Sequence, residues 1–301
     1  MKHKLQHYIE YYIMLVFQAI IRILPLKAVV LIAKLIAKTV TLFYKVRNKT
    51  AMDNLAVAFP ELSILERKKI RNQSYEHILM SSFESYKYMY LSKEQKLNHL
   101  IIDDTSKKLI FRVNEEGRGC VVVGGHYGFF EAGGHYSTCF GIKSAFVVAN
   151  QKNKLTEKLI DIPREKAGLL VIHRKNMIKL FRALKDNYII ALLSDQDAGR
   201  KLGIFVNFFG KPASTHKNPA VICLKHNVPM LIVNTVRDKK DISLHHLTFT
   251  EIDFQDILNS EISSDDKIKE LVQRYTDLLE AQIRQEPSHY WWIHKRYKTR
   301  P

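Results

Sequence analysis

C-V-V-V-G-G-H-Y-G-F-F-E-A-G-G-H, residues 120–135, is the stretch from which the fold is read. Residues 120–124 form a short β-branched run, the pattern of a buried strand. Gly124 and Gly125 let the backbone turn sharply and come close to a ligand. A helix is expected over 128–140, so His126 leaves the strand while Glu131 falls in the first helical turns. On one continuous helix, residues five apart point about 140° away from each other. The imidazole and the carboxylate can meet only if His126 sits in the turn ahead of the helix, which the glycines allow. His126 would then act as a general base, with Glu131 holding its tautomer and stabilising the imidazolium.

The same alternation runs outward from this stretch. Strands are expected at 144–149, 169–172, 188–194 and 230–235, with helices near 105–116, 153–166, 176–186 and 217–227. H-L-T-F-T-E (246–251) alternates as an edge strand does. Residues 266–286 read as a closing amphipathic helix, and 63–90 as a helix capped by Ser63 with Glu66 three residues on. The expected class is therefore α/β, a sheet flanked by helices on both faces. Ligands in such sheets gather at the carboxyl ends of strands. Arg174 follows the 169–172 strand, and Asp195, Gln196 and Asp197 follow the 188–194 strand, at the same rim as His126. Asp195 is expected to orient Arg174 or a loop.

The chain has 301 residues and a formal net charge of +17, an excess that draws polyanions such as anionic membrane, nucleic acid or phosphorylated substrates. Position favours a membrane. Residues 11–26 are apolar apart from Gln18 and Arg22, and Pro25 interrupts them. In the following run Lys27, Lys34, Lys38 and Lys45 recur at spacings of seven, four and seven, which places them on one helix face against Val, Leu and Ile. Residues 1–45 are thus expected to anchor the protein at the membrane, lying on it or spanning it once, and residues 46–301 to form the catalytic domain. Trp291 and Trp292, beside Lys295, Arg296, Lys298 and Arg300, suit a membrane interface. Cys120, Cys139 and Cys223 sit in apolar runs and read as buried free thiols. No Cys/His finger, RNP-like motif or basic recognition helix marks a nucleic-acid binder, so none is expected as a partner. Neither a Walker A loop nor G-x-G-x-x-G occurs, and no cofactor is expected. His135 gives an H…E…H pattern without the spacing of a metal site. His245 and His246 adjoin on a strand and face opposite sides.

Five segments carry a resemblance. H-Y-G-F-F-E (126–131) resembles the H-x-x-x-x-[DE] motif of glycerolipid and lipid A acyltransferases. N-L-A-V-A-F-P-E-L-S (54–63), L-L-S-D-Q-D-A-G (192–199), F-V-N-F-F-G-K-P-A-S-T (205–215) and W-W-I-H-K-R-Y-K-T-R-P (291–301) are similar, in the same order, to segments of the bacterial late acyltransferases of lipid A biosynthesis. The resemblance covers roughly residues 5–301. It implies a glycerolipid-acyltransferase-like mixed sheet with N-terminal membrane-associated helices, at the cytoplasmic face of a bacterial inner membrane. The implied donor is an acyl thioester on acyl carrier protein or coenzyme A, and the implied acceptor a hydroxyl of a phosphorylated glucosamine disaccharide lipid. Transfer would be direct, in keeping with the lack of a G-x-S-x-G nucleophile elbow. Arg174 would bind substrate or counter oxyanion charge, with Gly125, Asp195, Gln196, Phe129 and Lys211 also at the substrate. Lys211, Arg200, Lys201 and Lys217 would meet acceptor phosphates or the acidic carrier. Family members often carry Asn-Trp where this chain has Phe129 and Phe130, a change expected to alter acceptor or acyl fit. The alternatives are transfer to another glycolipid or aminolipid, or hydrolysis of the thioester.

Overall fold

The computed structural model describes residues 4–43 and 47–301. Helices α1 (Leu5–Ile23) and α2 (Leu26–Phe43) lead the chain and break at Pro25, whose ring cannot continue a helix. Then come α3 (Asn48–Ala58), α4 (Ile64–Tyr88), α5 (Lys93–Leu97), β1 (Leu100–Ile102), α6 (Asp104–Glu115) and β2 (Cys120–Gly124). The predicted cap of α4 is present in both directions: Glu66 N donates to Ser63 Oγ, and Ser63 N donates to Glu66 Oε2 at 2.7 Å. Next are α7 (Ala132–Cys139), β3 (Ser144–Val148), α8 (Lys154–Lys166), β4 (Leu169–His173), α9 (Met177–Lys185), β5 (Ile189–Leu193) and α10 (Gly199–Leu202). The hairpin β6 (Gly203–Phe208) and β7 (Lys211–His216), then α11 (Asn218–His226), β8 (Met230–Arg237), β9 (His245–Glu251), α12 (Gln255–Asn259) and α13 (Ser264–Gln285), complete the order.

Seven strands make one mixed sheet in the order β1-β9-β8-β2-β5-β3-β4. All neighbours are parallel except β8 and β9. Strand β2 lies at the centre, and all five of its residues are buried. Its alternating side chains feed two cores. Val121 and Val123 pack with α3, α9, α11 and α13, while Cys120 and Val122 pack with α2, α4, α6 and α7. The three cysteines are buried free thiols, as the sequence indicates.

Three expectations need correction. Strand β9 is not an edge, because the three-residue β1 pairs along its outer side; a strand that short leaves no periodic signal. The helix expected from residue 128 begins at Ala132, because residues 126–131 are drawn into a loop tied to the C-terminal segment. Trp292 is no interfacial anchor: it is 2% exposed, packs against Phe59 and Tyr290, and donates through Nε1 to Pro287 O at 2.7 Å.

Helices α1 and α2 dock on the domain by one face each. Leu26, Val30 and Ala33 enter the core against Met80 and Tyr88 of α4, and Gln18 of α1 donates to Leu159 O of α8. Lys34 lies 3.9 Å from Glu76 of α4, and Lys27 lies 3.8 Å from Asp241, so these two members of the lysine stripe face acids of the domain. Lys38 is exposed, and Lys45 lies outside the described residues. The outward surface is apolar: Ile13, Val16, Ile23, Leu31, Leu35 and Phe43 are each at least half exposed. Among the described residues no helix is long and apolar enough to cross a membrane.

Candidate active site

Two adjacent parallel strands end together at one rim of the sheet. Gly124 of β2 is in register with Leu193 of β5, and Ser194 N donates to Gly124 O at 3.0 Å. His126 stands two residues beyond the first strand and Asp195 two residues beyond the second. Their side chains meet, with His126 Nδ1 and Asp195 Oδ1 2.8 Å apart. Gly125 makes this approach possible. A Cβ there would lie 3.0 Å from Leu279 Cδ1 and 3.3 Å from the Cβ of Asp195.

The loop that carries His126 is held from the far end of the chain. Tyr127 forms an antiparallel bridge with Tyr290, Gly128 N donates to His289 O at 3.0 Å, and Trp291 N donates to His126 O at 3.1 Å. Gly128 has φ +54°, and a Cβ at that position would fall 1.9 Å from Thr235 O, so no side chain fits.

Asp195 is 3% exposed. Burial pushes its carboxyl up, but the adjacent His126 and the hydrogen bond to it prevail, and the group is held below its ordinary value. An anionic Asp195 can only accept, so the proton lies on Nδ1 in the neutral ring. The Nε2 lone pair of His126 is thereby left as an acceptor. Phe130 and Trp291 flank the imidazole, with ring centroids 5.4 and 5.0 Å from it. The Nδ1-protonated ring thus sits in an aromatic niche, and the His126 side chain keeps 19% exposure.

Glu131 does not contact His126 as expected. It sits at the start of α7, 4% exposed, where Oε1 pairs with the Arg164 guanidinium of α8. Its Oε2 has no hydrogen-bond partner among the described residues. The loop turns His126 toward β5 and leaves Glu131 facing α8, so two acid–base pairs form in place of one. His126 and Glu131 still line the same cleft of about 320 Å³, together with Phe130, Arg164, Arg174 and Gln196. A recess of about 240 Å³ continues past Phe130, Glu131 and Arg164 to Tyr86, Met89 and Ile160. Its wall mixes apolar side chains with Glu131, Glu157, Asp161 and Arg164.

The other expected residues divide. Arg174 lines the cleft, tethered by its N–H to Val148 O at 3.0 Å, and does not bond Asp195. The Gln196 amide nitrogen lies 3.5 Å from His126 Nδ1. Phe129 is not a substrate contact: it is fully buried, edge-on to Tyr88 at 4.6 Å, and Phe130 takes the cleft wall instead. Lys211 lines a separate cleft, and Arg200, Lys201 and Lys217 do not line the one at His126. His135 is a core residue. Burial pushes it well below the usual histidine range, and neither ring nitrogen has a partner among the described residues. His245 is buried on Glu84 at 2.9 Å and His246 is exposed on Asp238, on opposite faces as read. Glu157, Asp161 and His173 cluster within metal-ligand reach, but Asp161 already bonds His173 at 3.0 Å and Glu157 bonds Lys154. Arg164 and the role of Asp195 escaped the sequence reading. They lie 33 and 69 residues from their partners, and no local spacing marks either.

The chain is 27% identical over 262 residues to the lipid A biosynthesis palmitoleoyltransferase of Escherichia coli (strain K12), covering 86% of this chain and 81% of that protein. It is 23% identical over 261 residues to the lipid A biosynthesis lauroyltransferase of the same strain, covering 86% and 81%. It is 23% identical over 259 residues to a lipid A biosynthesis acyltransferase of Haemophilus influenzae (strain ATCC 51907 / DSM 11121 / KW20 / Rd), covering 85% and 78%. The family model described as bacterial lipid A biosynthesis acyltransferase matches residues 1–299. With the sheet, the rim site and this match together, the chain is an acyltransferase that belongs to the bacterial lipid A biosynthesis acyltransferase family.

Proposed function

We propose that the protein moves a fatty acyl group from a thioester, on acyl carrier protein or coenzyme A, to a hydroxyl of a phosphorylated glucosamine disaccharide lipid of the lipid A type. The observation that carries this reading is the His126–Asp195 pair at the rim, with Nε2 left open to an elongated cleft. Nε2 takes the proton of the acceptor hydroxyl as its oxygen attacks the thioester carbonyl. The tetrahedral adduct then collapses, the carbon–sulfur bond breaks, and the leaving thiolate takes the proton from His126. Asp195 holds the tautomer and offsets the transient imidazolium charge. Arg174 and the Gln196 amide offer N–H donors toward the oxyanion. Glu131 acts through Arg164, which it fixes at the cleft wall.

The apolar outer surfaces of α1 and α2 support a place on the membrane. Contiguous exposed apolar side chains on amphipathic helices favour burial in the headgroup and acyl boundary. In this reading the protein sits on the inner membrane of a bacterium, facing the cytoplasm, where a lipid acceptor would enter the cleft from the bilayer.

Mass spectrometry of lipids from membranes carrying wild type or His126→Ala tests the proposal. An added acyl mass is expected with wild type only. An unchanged product pattern in the variant would remove His126 from the reaction.

A further inference from the structure

A second cleft, of about 480 Å³, lies apart from His126. Lys49 and Thr50, in the first turn of α3, form one wall. Lys211, at the start of β7, and Lys295, Lys298 and Arg300 of the C-terminal segment face them. Five of these side chains are cationic and exposed, and no ion pair ties any of them to a carboxylate among the described residues. Asp53 is the one acid in the lining. Five like charges around a concavity repel one another, so the arrangement favours an anionic occupant.

Two further features point the same way. Helix α3 has no acid in its first turn, and Arg47 ahead of it supplies no side-chain cap, so the positive end of the helix is left uncompensated. At the inner wall stands Arg296, 2% exposed. Its guanidinium lies over the Phe208 ring and donates to Ser214 O at 2.6 Å and to Thr215 Oγ1, and its Nε has no partner among the described residues. Its fixed charge adds to the positive potential behind the five exposed cations.

We propose that this cleft binds a phosphoryl group, a phosphomonoester or diphosphate carried on a head group. The size fits a small polar ligand, whereas a docked protein needs roughly 800 Å² of matching surface on each partner. Lys49, Lys298 and Arg300 contact the phosphoryl oxygens, and Arg296 backs the site. The phosphate could be that of a membrane lipid or of a soluble sugar phosphate; both present the same chemistry. Binding here requires no chemistry at His126, so the site stands or falls independently of the proposed reaction.

The test is a calorimetric titration of the full chain, in neutral detergent, with inorganic pyrophosphate. Wild type and His126→Ala should bind saturably and alike. The double variant Lys49→Glu/Lys298→Glu should lose roughly tenfold or more in affinity. A second double variant, Lys185→Glu/Lys225→Glu, carries the same charge change on exposed lysines of α9 and α11 and should bind as wild type does. Competition by glucosamine 1-phosphate, or by phosphatidic acid carried in the same detergent micelles, then names the source: either one displacing pyrophosphate supports the site. Equal losses in the two double variants, or no saturable binding by wild type, would overturn the proposal.

Discussion

Replacing Asp195 by Asn is the sharpest test of the rim pair. The substitution keeps size and burial but removes the anion that His126 Nδ1 faces at 2.8 Å. A hydrogen bond to a charged partner contributes about 1.5–3 kcal/mol, and each 1.36 kcal/mol is a factor of ten in rate. That bond alone is therefore worth roughly 10- to 150-fold. The amide adds a second penalty, because its NH₂ can donate to Nδ1 and so move the ring proton to Nε2, the atom that must accept from the hydroxyl. In serine proteases the equivalent Asp-to-Asn change drops kcat about 10⁴-fold for that reason. The expected outcome is a fall in kcat of about 10²–10⁴, with KM within about threefold, since Asp195 touches the imidazole rather than the substrate. Transfer from an acyl thioester to a lipid acceptor in mixed micelles, followed by mass spectrometry, gives both constants. Asp195→Glu should recover part of the rate, which a merely structural carboxylate would not produce. If Asp195→Asn stays within about threefold of wild type while Glu131→Gln abolishes transfer, Glu131 is the partner of His126 and the assignment made from the pairing is wrong.

Glu84 is fully buried on Arg237 and His245. Glu84→Gln should cost about 3–5 kcal/mol, by leaving the buried Arg237 uncompensated, and lower Tm accordingly; an unchanged Tm would refute this. Burial pushes the Glu84 carboxyl up, but Arg237 and His245 pull it the other way, from 4.5 to about 2. Its contribution is thus complete above the ordinary carboxylate range and is lost as pH falls from 4.5 to about 2, a pH dependence that the Gln variant should lack. For the membrane surface, Ile13→Asp/Leu35→Asp removes two exposed apolar side chains, each worth about 1.5–3 kcal/mol when buried. Co-flotation with phosphatidylglycerol vesicles should fall by roughly tenfold or more with Tm unchanged; equal flotation would exclude this face as the contact.

Elements with a strong local period were legible from the chain alone. The β-branched run at 120–124 and the Ser63/Glu66 cap carry their own signals over a few residues, and both appear as read. The position of His126 at the rim followed from two glycines and a strand end. What could not be read depends on pairing across long separations. Whether the imidazole would turn to Glu131 or to Asp195 is decided by β2 and β5 lying side by side, a fact of topology. The same holds for Phe129 and Phe130. Adjacent aromatics look alike in sequence, and only the loop geometry sends one into the core against Tyr88 and the other into the cleft. Strand β1 has three residues, too few to show any period, which is why β9 read as an edge.

The loop bearing His126 takes part of its shape from far along the chain. Its bridge and two of its backbone bonds come from residues 289–291, some 160 positions later in synthesis. All seven strands of the sheet end before residue 289, so removing the last thirteen residues leaves every strand pairing in place and takes away the outer hold on the imidazole.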